Sequence, residues 1–125
     1  MEEKKGEFMI SLLVYIAHPY AGDEQNEKKV EEFIGKLQKY KGVTFISPIH
    51  TFGRQYNNVK YQKGIEDCLS LLDKCDILAI PKFEEIQHSK GCLIEYGFAK
   101  GAEIGIVYWD ELESYLQAYE WEEEE

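Results

Sequence analysis

Four short apolar runs alternate with segments of helical period, and that alternation limits the chain to very few architectures. The runs are Ser11–Ala17, Val43–Ile46, Asp76–Pro81 and Ile104–Trp109. The first is apolar on both faces, which suits a central parallel strand covered by a layer on each side. Glu24 to Tyr40 carries Val30, Phe33, Ile34 and Leu37 at three- and four-residue steps, the spacing of one helix face. Asp23 is placed to cap this helix, and Gly42 to end it. Lys60 to Leu72 repeats the pattern with Ile65, Cys68, Leu69 and Leu72, and Ser89 to Gly101 reads as a third helix. Asp110 to Tyr119 closes the series as a short helix with Asp110 as its cap. His18 to Asp23 is a turn, and Ile49–Asn58 and Lys82–His88 read as loops.

Right-handed crossovers convert this βαβαβαβα order into a three-layer α/β sandwich. The expected sheet is flavodoxin- or Rossmann-like, parallel, with four or five strands. With 125 residues, 44% of them hydrophobic, the chain is sized for one core. Residues 1–110 are expected to form the domain, and residues 111–125 a short C-terminal helix with an acidic tail. No apolar run approaches the length of a membrane span. The charged start, Met1 to Glu7, leads into no long apolar signal segment, so secretion is not expected. Cys68, Cys75 and Cys92 are odd in number and widely spaced, so they read as core cysteines of a cytoplasmic protein rather than disulfides or a zinc knuckle. A net charge of -10 with no basic stripe disfavours long nucleic acid. A single mononucleotide stays open, because a helix N-terminus can hold one phosphate.

The polar residues of interest follow strands: His18 and Tyr20 the first, His50, Arg54 and Tyr56 the second, His88, Ser89 and Glu95 the third, Trp109 and Asp110 the fourth. A parallel sheet gathers such positions along its C-terminal edge, where open α/β sheets keep their ligands. Arg54 is the only arginine, a residue type suited to phosphate or carboxylate; a solvated loop arginine is the plainer alternative. His18, His50 and His88 match no short-spaced zinc pattern, so no metal site is assigned to them. Ser89 can cap its helix, Gly91 allows close approach of a ligand to the backbone, and Glu95 lies one to two turns deeper. Gly97 and Ala99 are expected to let this helix pack closely on the sheet. An ordinary capped helix with Glu95 exposed is the competing reading. Asp76, at the opposite strand end, reads as structural. Asp67 lies near enough to the long loop to serve as a general acid or hydroxyl ligand. There is no P-loop, no dinucleotide fingerprint after the first strand and no nucleophile elbow.

Three stretches resemble the nucleoside 2-deoxyribosyltransferase-like superfamily, across roughly Leu12 to Trp109. They are Val14-Tyr15-Ile16-Ala17-His18-Pro19-Tyr20, Leu72 to Ile80, and Ser89-Lys90-Gly91-Cys92-Leu93-Ile94-Glu95-Tyr96-Gly97-Phe98-Ala99. The last is similar to the family signature Ser/Asp-x-Gly-x-x-x-Glu-x-Gly-x-Ala. The resemblance implies that Glu95 attacks C1′ of a deoxyribosyl group and that Asp67 holds the sugar or assists the leaving base. It implies that Ser89 contacts a 5′-phosphate, as in the deoxynucleoside 5′-monophosphate N-hydrolase-like branch. It also implies that Tyr15 or Tyr20 packs near the base or sugar, and that the protein forms a homodimer or larger homo-oligomer. His18-Pro19-Tyr20 departs from the glycine-rich turn of many N-hydrolases. It is closer to a related group of small, often phage-associated proteins without a settled activity.

The expected function is therefore N-glycosidic cleavage or transfer on a (deoxy)nucleoside or its 5′-monophosphate, with Glu95 as nucleophile. Substrate contacts are expected from Tyr15, His18, Tyr20, His50, Arg54, Ser89 and Gly91. Neither hydrolysis nor transfer requires a cofactor. The alternative is a non-catalytic binding protein for a nucleotide or nucleotide-derived signal.

Overall fold

In a computed structural model that describes residues 11–21, 23–52 and 61–124, the chain forms a parallel sheet flanked by helices. The elements are β1 (Leu12–Ile16), α1 (Glu24–Lys36), β2 (Val43–Ile46), α2 (Pro48–Phe52), α3 (Tyr61–Leu72), β3 (Ile77–Ile80), α4 (Phe83–Ile86), α5 (Lys90–Ala102), β4 (Gly105–Tyr108) and α6 (Trp109–Glu124). The four strands lie in the order β2-β1-β3-β4, all pairs parallel. This is the expected three-layer sandwich, with four strands among the described residues. The order reverses direction between β1 and β3, the switch point at which such sheets open a crevice.

Alternation along the central strands divides the core in two. Val14, Ile16, Ile77 and Ala79 face a layer containing Val30 and Leu37 of the α1 segment and Leu112 and Leu116 of α6. Tyr15, Ala17, Leu78 and Ile80 face the other layer, with Leu72 of α3, Ile86 of α4, and Cys92 and Ala99 of α5. Each fully buried leucine contributes on the order of 1.5–3 kcal/mol relative to exposure. The N-terminal ends of β1 and β3 are clasped: Asp76 Oδ2 accepts from Leu13 N at 2.8 Å, and Asp76 N donates to Leu13 O at 2.9 Å. Asp76 is thus structural, as its position suggested.

Several boundaries differ from expectation. The segment after β2 is not wholly a loop, because Pro48–Phe52 is helical. Pro48 is well suited to a helix start, and Thr51 N bonds Ser47 O at 2.9 Å. The Lys82–His88 segment likewise contains a helical turn, Phe83–Ile86, with Ile86 buried. α1 ends at Lys36, well before Gly42, which takes a positive φ of 77° in the turn into β2. Trp109 opens α6 instead of ending β4, so Asp110 lies in the helix's first turn. That helix runs to Glu124, beyond the expected Tyr119. It is held by buried Leu112 and Leu116, by Tyr40 Oη donating to Glu113 at 2.8 Å, and by a 2.9 Å ion pair between Lys82 and Asp110.

Candidate active site

Cys92, Glu95 and Ala99 recur at three- and four-residue steps and form the buried stripe of α5. Glu95 therefore takes a core position between a thiol and a methyl group. It is only 7% exposed, and it is the one buried acidic or basic side chain among the described residues. The helix is entered correctly for this: Ser89 is the N-cap, and its Oγ accepts from Cys92 N at 3.3 Å. The competing reading, an ordinary capped helix with Glu95 exposed, does not hold.

Its partner comes from the central strand. Tyr15 is fully buried, and its hydroxyl donates to Glu95 Oε2 at 2.6 Å. That is a short, charge-assisted bond when the carboxylate is ionised. Burial pushes the Glu95 carboxyl up to about 7, and the Tyr15 bond opposes the rise. Burial, then the Glu95 charge and the Cys68 thiol, raise Tyr15 above its ordinary value, so its hydroxyl stays a donor at neutral pH. Burial pushes the Cys68 thiol of α3 up to about 11, with the Glu95 charge adding to the rise. Cys92 is pushed up to about 12, mainly by burial. Both thiols are neutral near pH 7 and are not nucleophiles. Glu95 alone in this group titrates near neutrality, the property expected of a working carboxylate.

The other expected residues are distributed around this pair. Gly91 is half-buried in the first turn of α5. Asp67 pairs with Lys63 on its own helix at 2.7 Å. Its charge reaches Cys68. His18 lies beyond β1, its Nδ1 donating to Pro19 O at 2.8 Å. Burial lowers its pKa and favours the neutral ring, which leaves Nε2 as an acceptor. The ring tilts against Trp109 at 4.9 Å, and Trp109 stacks on Phe33 at 3.9 Å. Trp109 Nε1 donates to Ala17 O at 3.1 Å, which holds the indole at the end of β1. Tyr20 packs against the α1 side of the core, and its carbonyl accepts from Asp23 N and Asn26 Nδ2. His88 is exposed. Arg54 and Tyr56 lie outside the described residues.

His50 does not join the Glu95 group. Its Nδ1 lies 2.7 Å from Ser47 Oγ, and its Nε2 is 3.4 Å from Glu31 and 3.9 Å from Glu27. This is a second polar cluster, built from α1 and α2. The sequence reading missed Glu27 and Glu31, and it treated Cys68 and Cys92 as core residues only. The step of four between the two glutamates was visible; the approach of His50 required the fold.

A family model described as "Domain of unknown function (DUF4406)" matches residues 12–108, a span that includes all four strands of the described residues and the whole Tyr15–Glu95 group. The chain belongs to the DUF4406 family. No curated protein matches it. In this DUF4406 domain the geometry is consistent with a small-molecule-binding or catalytic role, since polar clusters stand beside a Rossmann-like sheet. Among the described residues, no helix is long and apolar enough to cross a membrane.

Proposed function

We propose that the domain cleaves or transfers the N-glycosidic bond of a (deoxy)nucleoside or its 5′-monophosphate, with Glu95 as nucleophile. The observation that carries this reading is the buried Tyr15–Glu95 pair, in which one carboxylate oxygen is held by a phenol and burial tunes the group to about 7. The resemblance of the stretch around Ser89, Gly91 and Glu95 to the superfamily signature supports glycosyl chemistry, without selecting one substrate. An ionised Glu95 oxygen bonds C1′ as the C1′–N bond breaks, and the bonding pair leaves with the base, which takes up a proton. Water then attacks C1′ of the glycosyl ester, releasing the sugar and restoring Glu95; in transfer, a second base takes the place of water. Tyr15 is a positioning residue that holds the carboxylate toward one side. Ser89 Oγ and the N-terminus of α5 are suited to a 5′-phosphate. His18 and Trp109 offer an aromatic edge for the base, and Arg54 a further charge. The same reading carries a homodimer or larger assembly in the cytoplasm.

A second reading is binding of a nucleotide without turnover. It is favoured by Asp67, the expected second carboxylate, being tied to Lys63. Chromatography of base release from deoxynucleosides, ribonucleosides and their 5′-monophosphates separates the two, with Glu95→Gln in parallel. The proposal expects release by the native chain, rising with pH through about 7, and none by the variant. Saturable binding with no release from any compound favours the second reading.

A further inference from the structure

We propose that Glu27, Glu31 and His50 form a binding site for a divalent transition-metal ion of the zinc class, separate from the Glu95 group. The three ligand atoms all lie within 4.8 Å of one another. They come from two elements that the sheet brings together. Glu27 and Glu31 are four apart on α1, hence on one helix face. His50 lies on α2, directly after β2, and β2 pairs with β1, from which the chain enters α1.

The separations suit coordination better than direct hydrogen bonding. His50 Nε2 stands 3.4 Å from Glu31 Oε2 and 3.9 Å from Glu27 Oε2. A charge-assisted N–H···O bond would close to about 2.7–2.9 Å. Two ligands at roughly 2.0–2.1 Å from one tetrahedral ion are about 3.3 Å apart, close to the shorter of these distances. Small side-chain adjustments then bring the second carboxylate in. Ser47 Oγ, 2.7 Å from Nδ1, engages the other ring nitrogen and aims Nε2 at the carboxylates. Such an outer partner is a regular companion of a metal-bound histidine.

The donor set selects the ion class. One imidazole and two carboxylates suit zinc or cobalt, whereas magnesium and calcium favour all-oxygen surroundings. Side-chain exposures of 17% for Glu27, 30% for His50 and 60% for Glu31 leave the site open on one side, so a fourth position is available to water or a ligand atom. The short spacings used to recognise zinc sites in sequence do not apply, because the ligands meet only through the sheet.

The test uses the full chain stripped with a chelator and titrated with Co²⁺, followed by visible absorption, then with Zn²⁺ as competitor. The expected result is one Co²⁺ per chain, with a visible ligand-field band that Zn²⁺ removes. His50→Ala, and separately Glu27→Gln with Glu31→Gln, should weaken binding by about tenfold or more. Circular dichroism in chelator should show each variant folded. Cys68→Ser with Cys92→Ser should leave the titration unchanged. Absence of Co²⁺ binding by the folded native chain overturns the proposal, as does binding of equal strength in folded His50→Ala.

Discussion

The two polar clusters use similar side chains in opposite surroundings. On the α3–α5 side of the sheet, one carboxylate meets one phenol inside the core. At the α1–α2 rim, two carboxylates meet one imidazole in contact with water. Glu95 is 7% exposed, while the Glu31 side chain is 60% exposed. The inner carboxylate is raised to about 7 because burial removes water from its charged form, and a single phenol hydroxyl only partly replaces that water. Environment, more than residue type, sets what each carboxylate can do. The inner one is a tuned single group; the outer pair is an open donor set.

The sharpest way to break this comparison is Glu95→Gln, read by thermal unfolding across pH. The carboxyl's folded value, about 7, lies above its ordinary 4.5, so the native state holds a proton that the unfolded chain has already lost. Stability contributed by the protonated form is therefore full below about 4.5 and lost as pH rises toward 7. The native chain should be roughly 3 kcal/mol less stable at pH 8 than at pH 4.5 from this group alone. Glu95→Gln should flatten that dependence and be the more stable chain at pH 8. An unchanged slope would show that Glu95 is not the source.

Tyr15→Phe comes next. It removes the bond that holds Glu95 down, so the carboxyl should titrate above about 7, and the pH midpoint of base release should move up with it. A buried carboxylate left without this donor costs about 1–3 kcal/mol at pH 8. Gly97→Ala is smaller and opposite in sign. A methyl group there meets nothing within 4 Å, and the position is exposed in mid-helix. Stability should rise by about 0.5–1 kcal/mol, measured by denaturant unfolding. Loss of base release in that variant would assign the glycine to ligand approach. His50→Ala in chelator should change stability least, by no more than about 0.5 kcal/mol, as expected of an exposed cluster.

Much of the fold was legible because each strand is a short apolar run and each long helix has a periodic face. β2 falls at Val43–Ile46 as the pattern predicts, and Asp23 and Ser89 cap the helices that follow them. The short helices α2 and α4 were not legible, since single turns carry too few residues for periodicity to register. Gly97 was expected to permit close packing against the sheet, but it faces solvent and Ala99 alone fills the buried position. Glu95 was legible by its spacing from Ser89. Its burial was also present in the pattern, because Cys92 and Ala99 place it on the apolar stripe. The Tyr15 contact spans 80 residues and emerges only once α5 packs on the sheet beside β3 and β4. The meeting of His50 with Glu27 and Glu31 depends in the same way on strand pairing.

The placement of Tyr15 within β1 has a consequence for how this family can vary. Val14 and Ile16 belong to one face of the sheet, and Tyr15 to the other. Inserting or deleting one residue upstream in that strand, with its pairing kept, would turn the phenol to the α1–α6 side and present an aliphatic side chain to Glu95. The Tyr15–Glu95 bond would thus be absent from a homologue that retains both residues. In comparing members of the family, the phase of the first strand should be checked alongside the identity of the residues in it.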